Sequence, residues 1–142
     1  MNMFDLLKML AEAKVEFVLV GGLAVALHGY QRVTMDVDVV VAMDGENLQR
    51  FMSAAKAAGL RPTIPVPLES LAQPELIEQW YREKGMLAFS LRGNETMATV
   101  LDVLVRPVVS FSELRRDATV VKVGPVDIPV ASIAHLLSLI HI

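Results

Sequence analysis

Hydrophobic and polar positions follow two different periods along this chain, and the changes of period mark its elements. Apolar residues at three- and four-residue spacing predict amphipathic helices. Short valine-rich runs bounded by glycine, proline or asparagine predict buried strands. The predicted helices cover residues 3–13, 22–28, 46–58, 74–84 and 110–116, with a last helix starting near Ala131 behind a Ser132 cap. The predicted strands cover residues 16–21, 33–42, 86–92, 97–105, 118–123 and 126–130.

The order of these elements predicts the fold class. Several strands follow one another directly after residue 85, whereas helices and strands alternate before it. Residues 60–67 contain three prolines, which suits a loop or an edge segment. We therefore expect an α+β fold, with a mixed β-sheet flanked by helices rather than a doubly wound parallel sheet.

Composition excludes several classes of protein. The 142 residues suffice for one domain with a real core, and they are 54% hydrophobic and 20% charged, so disorder is not expected. No cysteine is present, which excludes disulfides and thiolate metal sites. The net charge of −3 argues against broad nucleic-acid binding, although a local basic patch is compatible with it. No membrane span or export signal is evident, so we expect a cytoplasmic protein without a membrane partner.

The last six residues look foreign to the rest of the chain. Residues 137–142 can be encoded by CTGTCTCTTATACACATC, which matches a transposase end sequence used to make sequencing libraries. We therefore expect residues 1–136 to form the domain, C-terminally truncated, and residues 137–142 to be non-native. The alternative is an ordinary apolar C-terminal helix, and resequencing the locus from intact DNA separates the two. His141 is excluded from any site on these grounds.

Two aspartates one residue apart carry the clearest chemical signal. Asp36 and Asp38 interrupt an apolar run, and residues two apart on a strand point to the same face. Like charges held this close repel, and a hard divalent cation between them relieves the repulsion. The competing interpretation is an edge strand with solvated acids that deter aggregation.

A glycine pair precedes these aspartates. Gly21 and Gly22 follow the apolar run of residues 17–20, which predicts a strand-to-helix turn. Glycines at such a turn let backbone N–H groups approach a phosphate closely. The structural alternative is that they only permit a tight turn, and for the pair taken alone that reading is the stronger one.

A third aspartate lies in a later predicted strand. Asp102 is the one charge in the apolar run of residues 99–105, and buried charges need partners. An adjacent strand would bring it beside Asp36 and Asp38, which predicts a two-metal site near the glycine turn. The alternative is an ion pair with Arg106 or Arg92.

The combined pattern resembles a known family. Val20-Gly21-Gly22 with the small apolar residues up to Gly29, followed by Arg32-x-Thr34-x-Asp36-x-Asp38 and a later strand with Asp102, is similar to the DNA polymerase β-type nucleotidyltransferase superfamily. Within it, the pattern resembles small bacterial nucleotidyltransferases, including the abortive-infection toxins of type IV toxin–antitoxin systems. Many members have serine where this chain has Gly22.

The resemblance implies a minimal nucleotidyltransferase fold, a nucleoside triphosphate donor and Mg²⁺, two ions being expected. It implies that Asp36 and Asp38 hold the metals and that Asp102 completes the catalytic triad. An antitoxin protein is the partner that the toxin branch implies.

Four further side chains have two interpretations each. Arg32 suits a triphosphate, since a guanidinium group matches phosphate oxygens, and its alternative is a side chain in a solvated loop. The Thr34 hydroxyl would orient a carboxylate or a phosphate, and its alternative is a residue that only favours strand formation. For His28 we favour hydrogen bonding at a helix end over metal binding. For Trp80, packing is favoured over stacking on a base.

Three functions are compatible with these residues. The first is a metal-dependent, pyrophosphate-releasing transfer of a nucleoside monophosphate to a hydroxyl of tRNA, a protein or a small molecule. The second is a catalytically inactive nucleotide- or partner-binding module of the same fold. The third is a metal-dependent phosphohydrolase, ranked last because the chain lacks a histidine cluster.

Overall fold

A mixed sheet forms the centre of the computed structural model, which describes residues 1–29, 36–95 and 99–140. Within these residues the sheet has seven strands: β1 (Phe17–Val20), β2 (Asp36–Val41), β3 (Arg61–Pro62), β4 (Ala88–Arg92), β5 (Val100–Leu104), β6 (Thr119–Val123) and β7 (Val126–Val130). Six α-helices flank it in the same segments: α1 (Met3–Glu12), α2 (Gly21–Leu27), α3 (Gly45–Ala57), α4 (Pro74–Lys84), α5 (Phe111–Arg116) and α6 (Ile133–Ile140). The predicted α+β class is confirmed.

Strand order places β2 in the middle of the sheet. The order is β3-β4-β5-β2-β1-β7-β6. Strand β2 pairs antiparallel with β1 and parallel with β5, and β4 pairs antiparallel with β5. Strands β6 and β7 form the hairpin that the sequence predicts. The sheet is therefore mixed, as expected.

Side-chain oxygens accept backbone hydrogen bonds at the start of several helices. Asn2 and Asp5 form a reciprocal capping box at the start of α1. The Asp44 side chain accepts a hydrogen bond from the Asn47 backbone N–H at 2.9 Å and begins α3. The predicted Ser132 cap is confirmed, since its Oγ accepts from the His135 backbone N–H at 3.1 Å.

The two faces of the sheet differ sharply in chemistry. Along β2, β4 and β5 one face is buried and apolar; its residues include Val37, Val39, Val41, Phe89, Leu91, Leu101 and Val103. They belong to the same core as buried residues of α1 and α3. Strand alternation places Asp36, Asp38, Ser90 and Asp102 on the opposite side, which we call the acidic face.

Element boundaries differ from the predicted ones at several ends. Strands β2 and β5 begin later than residues 33 and 97, but residues 30–35 and 96–98 lie outside the described part of the chain. The region at residues 60–67 holds the two-residue edge strand β3. A 3₁₀ turn at Leu68–Ala72 was not predicted. None of the helices in the described segments combines the length and apolar composition needed to cross a membrane.

Candidate functional site

Two aspartates of the acidic face lie on the central strand. Asp36 is exposed at the start of β2, and Asp38 is partly buried two residues later. Because β2 is flanked by β1 and β5, the interpretation of these acids as solvated charges on an edge strand is excluded. The pair therefore lies where neighbouring strands hold its backbone in place.

Strand β5 brings the third aspartate to the same place. Asp102 is the direct register partner of Asp38 across the parallel β2–β5 ladder, at a strand spacing of about 4.8 Å. The expected adjacency and the expected face are both confirmed. The alternative ion pair with Arg106 does not form, because Arg106 binds Glu78 and lies 4.2 Å from the centre of the Tyr81 ring.

Strand β4 adds a residue that the sequence reasoning missed. Ser90 is the register partner of Asp102 on the far side of β5, and its Oγ donates a hydrogen bond to Asp102 Oδ1. The signal was present in the pattern, since Ser90 is a small polar residue between the apolar Phe89 and Leu91 of a predicted strand that directly precedes the strand with Asp102. The hydroxyl fixes the orientation of the Asp102 carboxylate.

The glycine turn meets the acidic face directly. Val20, the last residue of β1, is paired with Asp38, and Gly21 begins α2 with a φ of 73°. A Cβ on Gly21 would lie 2.9 Å from both Cβ and Cγ of Asp38, closer than real Cβ atoms come to other atoms. The strand-to-helix turn is thus confirmed, and Gly21 is required both by its backbone conformation and by its contact with Asp38.

The N-terminal end of α2 presents backbone donors. The first N–H groups of a helix have no acceptor inside the helix, and Val20 supplies no side-chain cap. These N–H groups begin at Gly21 and Gly22, beside Asp38. The turn can therefore donate hydrogen bonds to an anion held next to the carboxylates.

The carboxylates affect each other electrostatically. Burial raises the pKa of Asp38 to about 7, reinforced by a side-chain hydrogen bond with Asp102 and by the charges of Asp102 and Asp36. Burial, followed by the charge of Asp102, also raises the pKa of Asp36. Each group therefore holds its proton more tightly than an isolated aspartate does, first because burial disfavours the charged form and then because like charges lie nearby.

The donor chemistry of the acidic face fits a hard divalent cation. Carboxylate oxygens are the ligands that Mg²⁺ prefers, and either a proton or a metal ion reduces the mutual repulsion of Asp38 and Asp102. Among the described residues, no three His, Cys, Asp or Glu side chains are already gathered as ligands around one point. In this structure Asp38 and Asp102 lie directly opposite each other on β2 and β5.

The remaining predicted residues fall into two groups. Arg32 and Thr34 lie outside the described residues, so their predicted phosphate contacts stay predictions. His28 ends α2, and its Nε2 lies 2.8 Å from the backbone oxygen of Ala131. His28 is therefore a hydrogen-bond donor at the end of α2, as favoured, but its acceptor lies in the connection between β7 and α6 rather than in α2.

Two clefts open along β4, the strand next to Asp102. The tryptophan cleft has a volume of about 440 Å³ and is lined by Trp80, Lys84, Met86, Ala88, Ser90 and the loop of residues 63–66. The arginine cleft has a volume of about 590 Å³, and Arg61, Arg92 and Asn94 line it. The two clefts share Thr63, Pro65 and Val66, so they are neighbours along the loop of residues 63–66.

Comparison with known proteins adds no assignment. A scan against protein-family models and a search of curated proteins both returned no match for this chain.

Proposed function

We propose that this protein is a metal-dependent nucleotidyltransferase that moves a nucleoside monophosphate from a nucleoside triphosphate to a hydroxyl acceptor. The observation that carries the proposal is the acidic face: Asp36, Asp38 and Asp102 on adjacent central strands, with the Gly21 turn packed against Asp38. The resemblance to DNA polymerase β-type nucleotidyltransferases rests on the same residues.

The chain's own groups divide the work of the reaction. Backbone N–H groups of Gly21 and Gly22 bind phosphate oxygens of the donor, and Asp36 and Asp38 hold the metal ions with Asp102. Bound Mg²⁺ supplies charge stabilisation to the phosphoryl oxygens and lowers the pKa of the acceptor hydroxyl.

Bonds and protons balance across the transfer. The acceptor oxygen forms a bond to the α-phosphorus as the bond from that phosphorus to the bridging oxygen breaks, and pyrophosphate leaves with the electron pair. Asp102 accepts the hydroxyl proton, while Ser90 keeps its carboxylate oriented. Product is a phosphodiester or an equivalent nucleotidylated hydroxyl.

The test combines two substitutions with a matched control. Changing Asp36 and Asp38 together to asparagine keeps the size of both side chains but removes their charge. We expect transfer of α-³²P-labelled nucleotide to fall at least about 100-fold, the upper end for loss of an outer-shell metal partner. The control is Asp127→Asn, since Asp127 is an exposed aspartate on β7, away from the acidic face.

The same assays distinguish the nucleotidyltransferase from a non-catalytic binding module and from a phosphohydrolase. Thermal unfolding must show that the double variant folds, and full transfer activity in it would end the proposal. Triphosphate binding without any reaction would identify a non-catalytic nucleotide-binding module, and release of free phosphate from γ-labelled triphosphate would identify a phosphohydrolase. A labelled adduct with release of pyrophosphate is the expected result.

We also propose, from the resemblance alone, that the enzyme is a toxin–antitoxin component. A small DNA-binding regulator encoded beside the gene, and relief of growth inhibition when it is co-expressed, are the expected observations. Unimpaired growth on expression of the active enzyme alone would contradict this placement.

A further inference from the structure

A small cavity lies between the glycine turn and the last helix of the described chain. Its volume is about 170 Å³, and its lining includes Gly21, Gly22 and Asp38 on one side and Leu136 and Leu139 on the other. The first three residues belong to the proposed donor site, whereas the two leucines come from α6. Helix α6 therefore forms one wall of the space directly beside the glycine turn.

This cavity is smaller than a nucleotide needs. Clefts that hold ligands of comparable size have volumes of about 300–1,000 Å³. The space between the turn and α6 is about 170 Å³. A nucleoside triphosphate on the Gly21–Gly22 turn therefore needs more room than the described residues leave there.

The wall that α6 provides is also wrong in chemistry for phosphates. Leu136 is buried, Leu139 is partly buried against the core, and Leu104 of β5 lines the same cavity. A charged phosphate pressed against leucine side chains loses its hydration and gains no hydrogen bond from them. Donor phosphates and Leu139 therefore compete for one space.

Polar contacts hold the start of α6. The backbone oxygen of Ala131 accepts a hydrogen bond from His28 at the end of α2, and the Ser132 side chain accepts one from the His135 backbone N–H. His135 Nε2 also lies 3.7 Å from Asp117 Oδ2, at the end of α5. These contacts tie the first turn of α6 to two neighbouring helices.

The last turn of α6 is held differently. Leu137 is 55% exposed and Ser138 is exposed, whereas Leu139 packs against the core. Helix ends are the first parts of a structure to open, and an eight-residue helix has little stability of its own. Opening of residues 137–140 therefore requires chiefly the release of the Leu139 side chain.

We propose that residues 137–140, which we call the α6 plug, are autoinhibitory: Leu139 fills space that the triphosphate needs, and the plug must open before the donor binds. This inference rests on the proposed function, because the plug controls access to the donor site of that transfer. The first turn of α6 stays anchored and acts as the pivot. Leu139 lies in the segment that we expect to be non-native, so the inhibition is a property of this chain.

Hydrogen exchange in the unaltered protein tests the direction of the coupling. The probes are the four ribonucleoside α,β-methylene triphosphates with Mg²⁺, because they cannot release pyrophosphate. We expect saturating probe to speed amide exchange at residues 137–140, since a ligand that binds only the open state shifts the population toward it. Exchange in α3 is the internal control. Slower exchange at residues 137–140 would show that α6 is a fixed wall of the nucleotide site, and unchanged exchange would show no coupling; either overturns the inference.

A matched pair of variants tests the role of Leu139. We expect Leu139→Ala to bind the same probes about fivefold more tightly, because a smaller side chain holds the plug closed less well. The exposed Leu137→Ala is the control on the same turn, and its affinity should stay within about twofold of the original. Calorimetric titration measures both, and thermal unfolding checks that both fold. Equal affinities in the two variants, or weaker binding by Leu139→Ala, would contradict the proposal.

The outcomes separate this inference from the proposed function. Transfer of labelled nucleotide with the same efficiency in Leu139→Ala and in the unaltered protein overturns the plug and leaves the nucleotidyltransferase proposal intact. Tighter probe binding by Leu139→Ala without transfer in any assay supports the plug and overturns the enzymatic proposal. Absence of probe binding by every variant overturns the plug, and the labelled-adduct assay then decides the function independently.

Discussion

Gly21 has both a backbone conformation that favours glycine and a direct contact with an aspartate of the acidic face. Its φ of 73° lies in the left-handed region, and the space a Cβ would need is occupied by Asp38. Gly59 is a natural comparison, because its φ is 77° and nothing lies within 4 Å of the position of its missing Cβ. The two glycines share a conformation, and only Gly21 has the contact.

We expect Gly21→Ala to be more damaging than Gly59→Ala. Both substitutions incur the left-handed penalty of about 1–2 kcal/mol, and Gly21→Ala also displaces the Asp38 carboxylate. Urea unfolding should show the larger loss of stability for Gly21→Ala, and nucleotide transfer should fall in that variant alone. Equal losses of stability and equal activities in the two variants would show that the contact with Asp38 is unimportant.

At the residue scale, the charged residues of the site could be recognised from the sequence more readily than the uncharged residues that contact them. Asp36, Asp38 and Asp102 were recognisable because each is a charge inside an apolar run, a pattern that needs a physical reason. Ser90 was missed because a single serine in a strand is common and its importance depends on lying opposite Asp102. The left-handed conformation of Gly21 likewise depends on the turn that the tertiary structure imposes.

At the scale of elements, the hydrophobic pattern predicted nearly every helix and strand, but it did not predict which strands lie next to each other in the sheet. Period and capping residues are local signals, so α4 was predicted at its observed bounds, residues 74–84. The 3₁₀ turn at Leu68–Ala72 was missed because its residues lack a helical period long enough to recognise. The strand order depends on contacts between distant segments, which no local pattern contains. The β2–β5 neighbourhood was predictable only because Asp102 needed a partner.

One buried amide links three elements and was invisible in the sequence. Asn47 is 1% exposed, and its Oδ1 accepts from the Glu16 backbone N–H at 2.7 Å. Its Nδ2 donates to the backbone oxygens of Glu16 at 3.0 Å and Ala42 at 2.8 Å. The start of α3 is thereby tied to the segment before β1 and to the end of β2.

Replacing this amide should destabilise the sheet as well as α3. We expect Asn47→Ala to lower the free energy of unfolding by about 2–4 kcal/mol, because the part-buried Glu16 N–H and Ala42 oxygen lose their Asn47 partner, while the Glu16 oxygen keeps its hydrogen bond from the Ala42 N–H at 3.1 Å. Gln49→Ala on the same helix is the control; Gln49 is exposed, so a change within about 0.5 kcal/mol is expected. Chemical denaturation measures both, and a loss no larger than that of the control would mean that water replaces the amide without cost.

At the scale of the whole molecule, residues of like charge lie opposite each other at two places in the sheet, one acidic and one basic. Asp38 and Asp102 are register partners on the central strands, and Arg61 and Arg92 are register partners at the far edge of the sheet. Each pair is unfavourable by itself, and the buried apolar face supplies the stability that tolerates them. A nucleotide with its metal ions carries both complementary charges, so binding should stabilise the fold.

The pH dependence of stability follows from the same carboxylate pair. An unfolded aspartate loses its proton near pH 4, whereas the pKa of Asp38 in the folded protein is about 7. Between these values the folded state binds a proton that the unfolded state has lost, so this group's contribution to stability is present at low pH and disappears as pH rises through 7. After allowance for its partial exposure, the contribution is of the order of 1–2 kcal/mol.

We therefore expect the metal-free protein to lose stability between pH 5 and pH 8. We expect Mg²⁺ to restore this stability, most strongly at pH 8, because the carboxylates there carry the charge that the metal neutralises. Asp38→Asn should flatten the pH profile and abolish the Mg²⁺ effect on Tm, whereas the exposed Asp127→Asn should change neither. Calorimetry at pH 5 and at pH 8, each with and without Mg²⁺, measures the four Tm values of each variant. A wild-type profile that matches that of Asp38→Asn would mean that the paired carboxylates are already neutralised in the folded protein, which would remove the electrostatic reason for a cation at the acidic face.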